Sequence, residues 1–161
     1  MSFRIGNGVD FHQLEAGKKL WLGGVHIPHH KGAIGHSDAD VLLHAICDAL
    51  LGALSLGDIG KHFPNTDIKY KGIDSKILLK ETFTLIKEKG YEVVNVDSTI
   101  CLQEPKISAY VEVMQSVIAS ILQINTDAVS IKATTTENLG FVGRQEGIMA
   151  YATALLVKSV Q

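Results

Sequence analysis

The sequence predicts an α/β sandwich: a mixed sheet of four to five strands with helices on one face. Three observations predict it. Some stretches alternate apolar and polar residues, others return apolar residues at helical spacing, and the two kinds follow one another as strand, hairpin, helix, helix, strand, helix, strand, strand. With 161 residues, 46% of them hydrophobic and 20% charged, the chain is long enough for one domain with a sizeable core and shows no linker, repeat or low-complexity tract.

"FRIGNGVDFH" alternates as a strand does, and "KLWLGGVHIP" reads as two short strands around a Gly-Gly turn, together an N-terminal hairpin region. From Ser37 to Leu54, the residues Leu42, Ala45, Ile46, Ala49, Leu50 and Ala53 recur at helical spacing. Ser37 is the expected N-cap, with Asp38 and Asp40 in the first turn. Residues 55–72 are rich in Gly, Pro, Asn and Asp and read as a long loop, a kind of segment that often carries function. "DSKILLKETFTLIKEKG" is an amphipathic helix capped by Asp74 and closed by Gly90, without special chemistry and therefore scaffold. "YEVVNVDSTICLQ" is a strand, "KISAYVEVMQSVIASIL" a third helix after Pro105, and "AVSIKATTT" and "GIMAYATALLVKS" two more strands.

The last strand is apolar on both faces: Ile148, Ala150, Ala152, Ala154 and Leu156 on one, Met149, Tyr151, Leu155 and Val157 on the other. A central strand or the packing of sheets between subunits accounts for this, so an oligomer is expected.

A formal net charge of −2 leaves no basic footprint for nucleic acid or anionic membrane, and small molecules are the expected partners. No run approaches the roughly 18 to 20 apolar residues of a membrane span. "MSFRIGNG" lacks the apolar core of a signal peptide, so a cytoplasmic location is expected. Cys47 and Cys101 lie in apolar segments without metal or disulfide spacing and read as buried, unpaired thiols.

Asp10 and His12 stand two apart in the first strand, so they project from one face while Val9 and Phe11 face the other way. His44 alone among the seven histidines falls inside the first helix, roughly 160° from the centre of its apolar stripe. Asp40 or Asp48, one turn away, would receive its second ring N–H. One oxygen and two nitrogens suit Zn²⁺ with a fourth position open, the arrangement of a catalytic site. A strand-ending aspartate and a hydrogen-bonded core histidine account for the same residues, and spacing alone leaves both readings open.

"GVDFH", "HSDADVLLHAICDALLGALSLGDIGKHFPNTD", "DSTICLQEPKI" and "KATTTENLGFVGRQEG" closely resemble the 2-C-methyl-D-erythritol 2,4-cyclodiphosphate synthase family over essentially the whole chain. The resemblance implies one catalytic domain, residues 1–161, and conversion of 4-diphosphocytidyl-2-C-methyl-D-erythritol 2-phosphate to the cyclic diphosphate with release of CMP, a step of the non-mevalonate isoprenoid pathway. The substrate's own phosphate is the nucleophile in that reaction. This matches a sequence without a nucleophile elbow or an evident Cys-His pair.

Carried over residue by residue, the resemblance implies Zn²⁺ on Asp10, His12 and His44, and Mg²⁺ or Mn²⁺ on Glu137 bridging the substrate diphosphate. His36 and Thr135 match the residues that position the phosphates and stabilise the developing charge. Asp58, Ile59, Gly60, Phe63, Pro64, Asn65, Thr66 and Asp67 match the loop on the methylerythritol portion. Leu102, Gln103, Glu104, Pro105, Lys106, Ile107 and Ser108, with Thr134 and Thr136, match the surround of the cytidine diphosphate, and Ser37, Phe141 and Arg144 complete the substrate-binding set. The family is a homotrimer with sheets packed around the three-fold axis and active sites between subunits. Arg144 and Glu146 match residues of a central cavity that holds an isoprenoid diphosphate in some members.

Two departures stand out: Asn65 where Asp is frequent, and Val9 where a larger aromatic residue is often found. A zinc-dependent diphosphate hydrolase and a non-catalytic trimeric metal- or isoprenoid-binding protein are the rival readings. The first would want a general base near the metal, and the second a closed fourth coordination position.

Overall fold

A computed structural model describes residues 2–159. In chain order its elements are β1 (Phe3–Ala16), β2 (Leu20–Leu22), β3 (Val25–Ile27), β4 (Lys31–Ile34), α1 (Val41–Ala53), α2 (Ile59–His62), α3 (Ser75–Glu88), β5 (Tyr91–Cys101), α4 (Val111–Leu122), β6 (Val129–Thr134), α5 (Gly140–Gly143) and β7 (Gly147–Lys158). The main sheet is mixed and five-stranded, in the order β4-β1-β7-β5-β6. β5 and β6 run parallel and the other neighbours antiparallel. Helix α1 lies on β1 and β7, α3 packs on α1 and β5, and α4 packs on α3 and β6, so the three long helices cover one face as expected.

β2 and β3 form a separate hairpin turning at Gly23 and Gly24, both with positive φ. The N-terminal region is therefore not one hairpin: β1 pairs instead with β7 and with β4. Strand β4, "KGAI", is too short to show an alternation, and it escaped the sequence reading for that reason.

The even-numbered residues of β1 face the helices, and two of them are glycines. A Cβ on Gly6 would stand 1.9 Å from the Ala49 carbonyl oxygen, and one on Gly8 would stand 2.0 Å from that of Ala45. These positions let α1 lie directly on the strand. On β7 the facing residues are Ile148, Ala150, Ala152, Ala154 and Leu156, all fully or almost fully buried. Because α1 is clasped by the sheet on one side and by α3 on the other, nearly all its residues are buried. Each large apolar side chain so enclosed, such as Ile46 or Leu50, contributes about 1.5–3 kcal/mol.

Helix α1 starts later than expected. Ala39 takes a left-handed backbone conformation, φ 58°, so the helix cannot include residues 37–39, and Asp40 replaces Ser37 as the N-cap. Its buried carboxylate accepts N–H groups from Leu43 (3.1 Å), Gly23 (3.0 Å) and Gly24 (2.7 Å), which caps α1 and ties the hairpin across it. The segment 55–72 is mostly loop, as expected, but carries the single turn α2 capped by Asp58 and a 3₁₀ turn over Ile68–Tyr70 capped by Asp67. Helix α3 keeps its expected cap, Asp74, and Gly90 follows it with positive φ.

Among the described residues none of the three long helices lies on the other face of the sheet, where only Phe141 of the short α5 packs, against Phe11. Ile5, Val9 and Phe11 of β1 stand there opposite Leu155, Tyr151 and Met149 of β7. Ile5 is 71% exposed, Phe11 54% and Tyr151 43%.

Candidate metal centre and active site

β1 delivers Asp10 and His12 to the helix-covered face at its register with Ala150 and Ile148, just beyond the two glycines. Helix α1, seated on those glycines, brings His44 of its first turn down onto them. Asp10 Oδ2 lies 3.0 Å from His12 Nε2 and 3.1 Å from His44 Nδ1, and the two nitrogens are 3.1 Å apart. A tetrahedral ion with ligand bonds of about 2.0 Å places its ligands about 3.3 Å apart, so this triangle has the size that a small divalent cation requires.

The remaining ring nitrogens show which atoms carry protons. His12 Nδ1 lies 3.0 Å from the Ile34 carbonyl oxygen, an acceptor only, so it holds the ring hydrogen and Nε2 presents a lone pair. The Ser75 hydroxyl donates to the Asp38 carboxylate, so Ser75 Oγ, 2.9 Å from His44 Nε2, accepts the N–H of that ring. His44 Nδ1 then presents a lone pair as well. Three lone pairs this close need a cation among them, a proton or a metal ion, and the donor set fits a metal.

The electrostatics agree. Burial opposes the charge on Asp10, but the His12 and His44 imidazoles set against it outweigh burial and hold the carboxyl well below the usual carboxylate range. Burial likewise opposes a charged His12, and the Asp10 carboxylate overcomes it, pushing the imidazole up.

The expected partners of His44, Asp40 and Asp48, are engaged elsewhere. Asp40 caps α1, and Asp48 accepts the Ile59 N–H at 2.7 Å, tying the long loop to the helix one turn beyond His44. Ser75 of α3 and Ser37, whose Oγ is 3.0 Å from His44 Nε2, take the second nitrogen instead. Helix α3 is thus more than scaffold.

A cavity of about 380 Å³ opens beside the triangle. His12, His36, Ser37 and His44 form one wall, and Ile59, Gly60, Phe63, Pro64, Asn65 and Thr66 form the other, joined by Tyr70, Ile73 and Leu78. Asp58 and Asp67 act on the loop rather than on the cavity: each caps a turn, and the Asp67 carbonyl accepts from His36 Nε2 at 3.3 Å.

A second cavity, about 230 Å³, is lined by Leu102, Gln103, Pro105, Lys106, Ile107, Ser108, Ala133, Thr134 and Thr135. Glu104 and Thr136 are adjacent but do not line it. The two cavities share no residue, so a single chain does not bring the two groups of site residues together. Glu137 stands apart from the triangle on the turn after β6, with φ 52°, accepting the Thr135 hydroxyl at 3.0 Å. Phe141 packs against Phe11 at 6.0 Å between ring centres, and Arg144 forms a two-point ion pair with Glu146 at 2.9 and 3.0 Å.

Residues 3–157 match the model of the YgbB family. The chain belongs to the YgbB family. A relative from Bacteroides thetaiotaomicron, named 2-C-methyl-D-erythritol 2,4-cyclodiphosphate synthase, is 58% identical over 98% of this chain and 99% of its own length. One of the same name from Phocaeicola vulgatus is 59% identical over 99% of both chains. Among solved structures, the bifunctional IspDF of Campylobacter jejuni superposes with a TM-score of 0.94 and 41% identity over 99% of this chain, which spans 43% of that protein. The IspF CDP complex of Plasmodium falciparum superposes with a TM-score of 0.87 and 36% identity, covering 99% of this chain and 98% of that one.

Within this YgbB chain, sequence reasoning missed Asp38, Ser75 and the loop-holding role of Asp48. Ser75 had only its place directly after a helix cap to mark it, a position serines often fill for local reasons.

Proposed function

We propose that this protein is a 2-C-methyl-D-erythritol 2,4-cyclodiphosphate synthase, a single catalytic domain over residues 1–161. It converts 4-diphosphocytidyl-2-C-methyl-D-erythritol 2-phosphate to 2-C-methyl-D-erythritol 2,4-cyclodiphosphate and CMP, a step of isoprenoid biosynthesis. One observation carries the reading: in a chain related along its whole length to synthases of this name, Asp10, His12 and His44 form a donor triangle whose two imidazoles line a cavity of about 380 Å³.

The 2-phosphate oxygen forms a new bond to the β-phosphorus as the bond from that phosphorus to the bridging oxygen breaks, and CMP departs with the electron pair. Asp10, His12 and His44 would hold Zn²⁺, which supplies Lewis-acid polarisation of a phosphate oxygen. Glu137 would hold Mg²⁺ or Mn²⁺ against the diphosphate. The protein contributes positioning: the 58–67 loop closes on the methylerythritol, His36 is oriented by the Asp67 carbonyl, and the Thr135 hydroxyl serves the phosphates. Lys106 adds a positive charge at the cavity assigned to the cytidine diphosphate.

The separation of the two cavities and the apolar face formed by β1 and β7 support reading the assembly as a homotrimer. The nucleotide cavity of one subunit then faces the metal-side cavity of its neighbour, and the sheets meet at the three-fold axis. An isoprenoid diphosphate in a central cavity would have to compete with Glu146 for the Arg144 guanidinium.

The test is CMP release from the diphosphocytidyl substrate by zinc-reconstituted protein, with the second product identified by ³¹P NMR. Cyclic diphosphate is the expected product. An open-chain diphosphate would make the protein a hydrolase, and no turnover by folded, metal-loaded trimer would make it a binding protein.

A further inference from the structure

We propose that Ser75 and Asp38 are positioning residues for the metal centre: a carboxylate–hydroxyl–imidazole chain from Asp38 through Ser75 sets the tautomer of His44 and aims its Nδ1 lone pair at the ion. The inference rests on reading Asp10, His12 and His44 as a metal site.

Ser75 is fully buried and opens α3. Its hydroxyl is not required to cap that helix, because the Asp74 side chain already accepts the Lys76 N–H at 2.9 Å. It does not line the substrate cavity either. Its polar partners are the Asp38 carboxylate, His44 Nε2 at 2.9 Å and Ser37 Oγ at 3.4 Å.

Asp38 fixes the direction of this chain. One of its oxygens takes the Ser75 hydroxyl hydrogen and the Asp40 N–H at 3.2 Å, and the other takes the Ser75 backbone N–H at 3.0 Å. An ionised carboxylate only accepts, so the hydroxyl points at Asp38 and turns its lone pairs toward His44. The imidazole must then donate through Nε2, which leaves Nδ1 free of hydrogen on the side of Asp10 and His12. Drawing the Nε2–H toward a hydroxyl that is itself held by a carboxylate also raises electron density at Nδ1, which strengthens a metal bond there.

Ser37 Oγ, 3.0 Å from the same nitrogen, is a weaker anchor. It accepts the Ala39 N–H and sits on the cavity wall, where substrate would compete for it. Ser75 has neither distraction.

The experiment uses Co²⁺ as probe on wild type, Ser75→Ala, Ser75→Thr and Asp38→Asn, reading affinity from the ligand-field absorption of folded protein by chelator competition. Side-chain ¹⁵N NMR of the metal-stripped forms reports the His44 tautomer. Thermal midpoints in chelator report folding. Ser75→Ala and Asp38→Asn are expected to weaken Co²⁺ binding about 10–100-fold, and Ser75→Thr, which keeps the hydroxyl, to restore most of it.

Wild-type His44 should carry its hydrogen on Nε2. Finding it on Nδ1, or finding Co²⁺ affinity unchanged in both Ser75→Ala and Asp38→Asn, would overturn the proposal. Lower thermal midpoints with unchanged affinity and tautomer would do the same, by reducing the pair to scaffold. Absence of Co²⁺ binding by wild type, with His44 nonetheless protonated on Nε2, would remove the metal reading instead.

Discussion

Gly8 lies so close to the Ala45 carbonyl that a Cβ built on it would stand 2.0 Å from the oxygen and 2.7 Å from the Ala49 nitrogen. Both obstacles are backbone, which cannot rotate aside. Gly8→Ala is therefore expected to lift α1, destabilise the fold by about 1–3 kcal/mol or more, and draw His44 away from Asp10 and His12. Thermal unfolding and Co²⁺ titration check the two effects together. A variant with wild-type stability and metal affinity would show that the helix position tolerates the change.

His44→Ala should abolish metal binding while keeping the fold, because the ring contacts serines and ligands rather than the apolar core. Metal at about 100 times its dissociation constant stabilises a protein by about 2.7 kcal/mol. Chelator should thus lower the melting temperature of metal-loaded wild type and leave that of His44→Ala where it was.

Asp48 holds the 58–67 loop, proposed to bind substrate, through its 2.7 Å bond to the Ile59 N–H. Removing a charged acceptor from a part-buried donor costs about 1.5–3 kcal/mol, so in Asp48→Ala the loop is released from α1. KM should rise about tenfold or more with a smaller change in kcat, and limited proteolysis should cut within residues 57–67. Equal loss in kcat and no change in KM would mean that Asp48 acts on the reacting groups.

Placing a charge on the bare sheet face separates assembly from metal binding. Tyr151→Asp should yield monomers in sedimentation velocity and lose turnover, because the cavity proposed for the nucleotide and the cavity beside the donor triangle share no lining residue in one chain. Co²⁺ affinity should survive, since all three donors come from one chain. A fully active monomer would refute the intersubunit site.

Burial pushes the Cys47 thiol up from its ordinary value of 9.0 to about 12. The folded state therefore favours the protonated form. Its contribution to stability is complete below the unfolded thiol's pKa and is lost as pH rises from there toward about 12. Cys47→Ala should flatten the alkaline limb of the stability curve over that window, and iodoacetamide at pH near 8 should label Cys47 only in denaturant.

Much of the site was legible because strand geometry is simple. Period-two spacing put Asp10 and His12 on one face, and the helical period isolated His44 from its apolar stripe. The Gly23–Gly24 turn and the Asp74 cap were equally plain, each arising from local backbone chemistry.

What escaped depends on contacts distant in sequence. Ser75 reaches His44 because residues 36–38 run beside 72–73, with the Gly72 N–H on the His36 carbonyl at 2.7 Å and the Asp38 N–H on the Ile73 carbonyl at 3.0 Å. Nothing in the local sequence announces that pairing. The displaced start of α1 turns on Ala39 at φ 58°, a conformation alanine rarely takes. Sequence propensity therefore favoured Ser37, and the true cap, Asp40, is chosen by the glycine hairpin that its carboxylate also holds.

Strand β1 carries two messages in alternate letters. Its even positions from Gly6 to His12 seat a helix and present two of the three candidate metal donors, and Ile5, Val9 and Phe11 at its odd positions, with Asn7 among them, stand on the opposite face. A single residue inserted or deleted between Gly8 and Asp10 would invert the phase, sending Phe11 beneath the helix and both the carboxylate and the imidazole to the outside. Substitution is open to this strand at few of its even positions, and change in its length at none of them, because the two faces are interleaved in one frame.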